Sequence, residues 1–132
     1  MLVASRSTDG MVLKKPSRPI TLRDLATHTS GMPGGLPPGL NGLLQNLDRT
    51  LAEAVYVYSQ QPLEFEPGTE WRYSNQGIAT LGRIIEVVSG QPYEEFLRRR
   101  IFEPLGMKDT WFFPTESAAS RMAMLYRKNA AG

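Results

Sequence analysis

Residues 76–89 constrain the fold more than any other stretch of the chain. Ile78, Leu81, Ile85 and Val88 recur at helical spacing and form one stripe, which Ile84 and Val87 widen. An apolar face this broad predicts a helix buried on more than one side, so other elements must pack around it. Gly77 and Gly82 lie inside the same stretch, where each weakens a helix by about 1 kcal/mol relative to Ala. Their expected compensation is the close approach of a neighbouring element. Ser74 or Asn75 is placed to cap the helix start, and Gly90 to end it in a left-handed conformation.

Short elements separated by Gly and Pro surround this helix. Residues 1–20 read as extended, with apolar-leaning runs at 1–5 and 11–15 and an Asp9-Gly10 hairpin turn between them. A short helix follows, with Thr21 as N-cap, Asp24 in the capping-box position, and Ile20 and Leu25 spaced for a hydrophobic staple. Gly31 and Pro33 stop it. Residues 32–42 hold seven Gly or Pro but also Met32, Leu36 and Leu40. They form either a flap over a cleft or a loop plugging the core, and the second reading is favoured. A helix is predicted over 43–59, where Leu44, Leu47, Leu51, Ala54, Val55 and Tyr58 share one face. Pro67-Gly68 suits a type II turn, because Gly accepts the positive φ at its third position.

Gln91-Pro92 opens another helix, running to about Phe102, with Glu94–Arg98 and Glu95–Arg99 as favourable i,i+4 pairs. That placement reads Arg98-Arg99-Arg100 as a helix C-terminus rather than a phosphate-binding patch. Trp111-Phe112-Phe113 is read as a short strand and residues 116–127 as helical, with Met122, Leu125 and Tyr126 on one face. The predicted class is mainly α with minor β. Its parts are an extended lead-in at 1–20, a helical region at 21–113, and a short helix with a fraying tail at 114–132.

A chain of 132 residues can bury about 65–70% of the surface its unfolded form exposes, enough for a real core. The chain has no cysteine and one histidine, which argues against thiolate catalysis and against Cys- or His-based metal sites. No apolar run approaches the roughly 18 residues of a membrane helix. The apolar start, Met1 to Ala4, is too short for a signal-peptide core. Gly-x-Ser-x-Gly, Gly-x-x-x-x-Gly-Lys and Gly-x-Gly-x-x-Gly are all absent. Nothing calls for a cofactor, a metal or nucleic acid. His28, near the end of the first helix, is expected to interact with helix carbonyls.

Four segments carry a family resemblance. Ile20 to Gly31 resembles the "ITxRxLLTHTSG" segment of serine β-lactamase-related proteins, and Pro67 to Asn75 their "PGxxWxYSN" segment. Leu81 to Glu86 with Ser89-Gly90 resembles the helix that follows, and Pro104 to Thr110 the "PLGMxDT" segment. The family includes class C β-lactamases, penicillin-binding DD-peptidases and related esterases. The match covers about residues 18–113, in the family's order. Ala26 departs from the bulkier residue usual there.

The resemblance implies a helical subdomain of the β-lactamase/penicillin-binding-protein-like fold, lacking most of its α/β sheet domain. It also implies an acyl-enzyme hydrolase acting on small-molecule amides or esters, with an extracytoplasmic parent. A hydroxyl nucleophile is weak unless a base takes its proton. The family's machinery has three parts: a Ser-x-x-Lys turn that supplies the serine and a lysine that helps activate it, a Tyr-x-Asn motif, and a late Lys-Thr-Gly or His-x-Gly strand that lines the oxyanion side. Tyr73-Ser74-Asn75 matches the second part, which makes Tyr73 the implied catalytic residue and Asn75 the implied substrate-binding residue. Ser74 is read as a helix cap. The residues three before Lys14, Lys15, Lys108 and Lys128 are Met11, Val12, Leu105 and Leu125, so no Ser-x-x-Lys is present, and neither is a Lys-Thr-Gly. The chain is therefore expected to be inactive alone, and to associate through an apolar face meant for the missing α/β domain. The alternative is a non-catalytic binding or interaction domain that retains the scaffold. Trp71, Trp111, Phe112 and Phe113 are read as core residues, and Arg72 as facing either substrate or solvent.

Overall fold

Two threonines open helices by the same reciprocal device. Thr21 Oγ1 accepts the Asp24 N–H at 3.2 Å while the Asp24 carboxylate accepts the Thr21 N–H at 2.8 Å, and helix α1 follows as Leu22–Ala26. Thr50 and Glu53 repeat the exchange at 3.3 and 2.8 Å ahead of α2, Leu51–Ser59. Each pair satisfies two amides that a helix start otherwise leaves without partners. The computed structural model describes residues 1, 3–7, 10–36, 49–123 and 126, and only the backbone of 3–7 and 10–13. The chain forms two compact units, Met1–Tyr93 and Glu94–Gly132.

In the first unit, β1 (Val3–Ser7) and β2 (Gly10–Lys14) pair as an antiparallel hairpin. The register sets Ser7 opposite Gly10, so Gly10 opens β2 instead of sitting in the turn, while residues 8 and 9 lie outside the described residues. Helix α3 spans Asn75–Ser89, capped by Ser74 and closed by Gly90 at φ 69°. The core is Leu25, Met32 and Leu63, with Ile20, Tyr58, Leu81 and Ile84 packed against it. Ile20 and Leu25 thus meet at one cluster, as the staple spacing predicts. Buried Met32 supports the plugging role at the start of the 32–42 loop; residues 37–42 lie outside the described residues.

Residues 63–73 run beside 28–31 without forming a regular strand. The amides of Glu64, Gly68 and Arg72 donate to the carbonyls of Gly31, Thr29 and His28 at 2.8, 2.8 and 2.9 Å. Between them the chain turns at Pro67-Gly68. The Thr69 N–H reaches the Glu66 carbonyl at 3.1 Å, with Gly68 at φ +86°, the type II geometry the sequence predicts. That turn breaks the ladder a strand would need. Gly31 is required by space as well as by its φ of +78°, since a Cβ there would lie 2.2 Å from the Phe65 carbonyl oxygen.

Two helical expectations change. The capping box at Thr50 starts α2 at Leu51, and residues 43–48 of the predicted 43–59 helix lie outside the described residues. Helix α3 is covered less than its broad apolar face predicts: its buried residues are Gln76, Gly77 and Gly82, while Ile78, Val87 and Val88 are exposed, Val88 by 82%. Helices α1 and α2 both pack against it. Of its two glycines only Gly82 sits at a close approach, and Gly77 has ordinary contacts. A Cβ on Gly82 would lie 3.2 Å from Leu51 Cδ1, and one on Gly77 would lie 3.6 Å from the Leu25 carbonyl oxygen.

In the second unit, α4 (Tyr93–Leu97) passes into a π-helical turn at Arg98–Phe102. Arg99 pairs with Glu95 as expected, but Arg98 pairs with Glu95 at i,i+3 and with Glu103, instead of Glu94. The wider π turn brings residues five apart together, as in the Arg98–Glu103 pair. Helix α5 is only Glu116–Ala119, capped by Thr115; Met122 and Tyr126 are exposed, and Leu125 and 127–132 lie outside the described residues. Trp111, Phe112 and Phe113 form no strand, the chain bending at Phe112 and Phe113, and all three are exposed instead of core. Phe112 stacks on Phe102 at 6.5 Å and Arg121 lies 5.7 Å over the Trp111 ring.

Candidate active site

Ser74 determines where the Tyr-x-Asn motif stands. As the α3 N-cap it is 1% exposed. Its hydroxyl accepts the Gly77 N–H at 3.0 Å and donates to the Pro33 carbonyl at 2.9 Å. One helical position further in, Gln76 Nε2 donates to the Gly35 carbonyl at 2.8 Å. The 33–35 loop is thereby tied to the first turn of α3. These commitments bear out the reading of Ser74 as a cap.

Tyr73 and Asn75 flank that buried cap and point outward. Both are exposed, Tyr73 by 56%, and the Tyr73 hydroxyl donates to Asn75 Oδ1 at 3.1 Å. The two motif side chains therefore share one exposed edge at the N-terminus of α3. Trp71 is also there, 67% exposed, which corrects its reading as core. Arg72 is exposed to solvent, as one of its two expected placements has it, and its charge is paired. Its guanidinium pairs with Glu64 at 2.7 Å and Glu70 at 3.5 Å and lies 5.5 Å over the Phe65 ring.

His28 has a structural role: its N–H donates to the Leu25 carbonyl of α1 at 3.4 Å, and its ring makes a second link. Its Nδ1 accepts the Ser74 N–H at 3.2 Å. Its ring lies 4.7 Å from Tyr73 and 6.1 Å from Trp71. Its backbone is left-handed, with φ 59°, which brings the chain out of α1 toward 63–73. Spacing alone did not reveal this partner, since 46 residues separate His28 from Ser74.

Beneath the edge, Arg18 grips Asp24 with two hydrogen bonds of 2.7 and 2.9 Å. The Arg18 guanidinium holds the Asp24 carboxyl well below the usual carboxylate range; burial opposes this, and the Thr21 hydroxyl and N–H assist. The same guanidinium fills the space above Gly68, where a Cβ would lie 2.4 Å from Nη2. Glu66 accepts the Ser17 N–H and hydroxyl at 2.9 and 3.1 Å and meets Lys14 at 3.4 Å. The Ser17 amide, with Lys14 beside it, lowers the Glu66 pKa against the effect of burial. These links tie residues 14–24 to the turn that leads into Tyr73. Among the described residues no group of three His, Cys, Asp or Glu is placed to hold a metal ion, and no described helix is long and apolar enough to cross a membrane.

The chain as a whole is similar to known proteins. The family model described as Beta-lactamase matches residues 12–132. Lovastatin esterase of Penicillium rubens is 40% identical over 106 residues, covering 75% of this chain and 26% of that protein. The D-alanyl-D-alanine-carboxypeptidase/endopeptidase AmpH of Escherichia coli is 34% identical over 109 residues, covering 83% of this chain and 28% of its own length. The crystal structure of the β-lactamase/D-alanine carboxypeptidase of Yersinia pestis superposes with a TM-score of 0.70 at 31% identity, over 83% of this chain and 31% of that one. The chain thus spans about a quarter of the length of the curated relatives it matches. Its fold is a helical subdomain of the β-lactamase/penicillin-binding-protein-like type. The chain belongs to the serine β-lactamase-related family of hydrolases.

Proposed function

We propose that this chain contributes the Tyr-x-Asn side of a serine hydrolase active site that works through an acyl-enzyme. Tyr73 is the catalytic residue, placed to exchange a proton with the attacking serine. Asn75 binds the substrate's amide or ester group. The observation that carries this reading is the shared edge: Tyr73 and Asn75 are hydrogen-bonded at 3.1 Å and exposed at the start of α3, on either side of a buried, hydrogen-bonded cap. A phenol is a poor base at neutral pH without cations nearby. Arg72, the adjacent cation, is committed to Glu64 and Glu70. The activating lysine and the nucleophile belong to a Ser-x-x-Lys that these 132 residues lack, and the oxyanion side to a third motif. The chain alone is therefore inactive. Its natural partner is an α/β domain of the same protein, and its substrates are small amides or esters.

The test is to read the coding sequence on either side of the chain and to assay the longer product. A frame that continues upstream into Ser-x-x-Lys, encoding a hydrolase in which Tyr73→Phe lowers kcat by about 100-fold, supports the reading. A native product of these residues only, or full activity in Tyr73→Phe, overturns it and favours a non-catalytic module.

A further inference from the structure

The two amides that flank Tyr73 both donate to one residue. The Arg72 N–H reaches the His28 carbonyl at 2.9 Å, and the Ser74 N–H reaches His28 Nδ1 at 3.2 Å. Between these two bonds the His28 ring lies 4.7 Å from the Tyr73 ring, tilted by 41°. His28 holds this arrangement at φ 59°, a conformation that strains residues other than Gly, Asn or Asp and persists where the surroundings over-determine it.

We propose that His28 is the positioning residue of the Tyr-x-Asn motif, clamping the backbone on both sides of Tyr73 and so fixing the directions of Tyr73 and Asn75. The Ser74 N–H is held through a residue that is 1% exposed, and the Ser74 hydroxyl is already committed to Pro33 and Gly77. Without Nδ1 that amide is a buried donor with no acceptor, a strongly unfavourable state. The clamp requires a lone pair on Nδ1, so the neutral ring carries its proton on Nε2. The catalytic meaning of the clamp rests on the role proposed for Tyr73; the clamp itself does not.

The chain has one histidine, so nitrogen NMR of the intact 132-residue protein reads this ring without ambiguity. The expected result at neutral pH is a bare Nδ1, a protonated Nε2 and slow exchange of the Ser74 amide. Two variants separate the hydrogen bond from backbone strain, because Gly and Asn both accept a left-handed backbone. His28→Gly removes the acceptor, and His28→Asn offers Oδ1 in its place. His28→Gly should speed Ser74 amide exchange by about tenfold or more and let the Tyr73 side chain average between rotamers. His28→Asn should restore most of the protection. A proton on Nδ1, or unchanged Ser74 exchange and Tyr73 couplings in His28→Gly, overturns the proposal. If a variant does not fold, the native ring's tautomer and the native Ser74 exchange rate decide. None of these readouts requires hydrolysis, so the clamp and the proposed catalytic role fail or survive separately.

Discussion

Asp24 joins three groups at once: Thr21, which it caps, Arg18, which it pairs with, and the Thr29 hydroxyl at 3.4 Å. Its folded carboxyl titrates below its unfolded value. The resulting stability is present in full above the unfolded pKa of about 3.9 and is lost as pH falls below that, because the unfolded chain takes up the proton first. Thermal melts should therefore show stability falling below about pH 4, with a shallower fall in Asp24→Asn. At neutral pH the same variant should lose about 2 kcal/mol, because it breaks a half-buried ion pair and a cap together. Ser74→Ala should lose about 1–2 kcal/mol by chemical denaturation, since it deletes a buried cap. Tyr73→Phe should change stability by less than about 0.5 kcal/mol, because its hydroxyl bond is exposed. That contrast separates the residue that shapes the site from the residue proposed to act in it. The capping roles of Thr21, Asp24 and Ser74 were legible because a cap is a four-residue local pattern. The Arg18–Asp24 pair and the His28–Ser74 bond were not, since neither follows a helical or strand period.

The elements obey their local signals where packing agrees and depart where it does not. The glycines of α3 allow a test of that balance. Gly77→Ala adds helix propensity and meets only ordinary contacts of 3.5–3.7 Å, so it should be neutral or stabilising by up to about 1 kcal/mol. Gly82→Ala gains the same propensity but must push Leu51 from 3.2 Å, so its melting temperature should rise less or fall. Gly31→Ala meets a backbone carbonyl at 2.2 Å with φ +78° and should lose about 3 kcal/mol or more. Periodicity placed α3 and much of α2 because their apolar faces follow a 3.6-residue repeat. It misjudged how much of α3 is covered, since an apolar stripe shows what could be buried and not what stands against it. Trp111 to Phe113 failed for the same reason: aromatic composition favours a strand, yet a strand needs a partner edge, and none is paired there among the described residues.

At the scale of the whole chain, apolar side chains are exposed within each unit: Ile78, Val87 and Val88 in the first, and Leu105, Phe112 and Phe113 in the second. Exposed apolar residues promote association where they form a contiguous patch. The proposed α/β partner accounts for them, and in its absence light scattering should show mass rising with concentration; a strictly monomeric species at high concentration would count against a docking face. The family was legible from four short segments because their side chains serve caps, turns and close packing that the fold cannot do without. Asp24, Gly31, Gly68 and Ser74 each show such a need here. The substrate was not legible, because nothing in Tyr73-Ser74-Asn75 distinguishes one amide or ester from another. The most direct test of the central claim is hydrolysis of a chromogenic β-lactam and a short-chain ester by residues 1–132 alone. The account predicts rates no higher than the uncatalysed background. Saturable turnover that a serine-directed acylating reagent abolishes would contradict it.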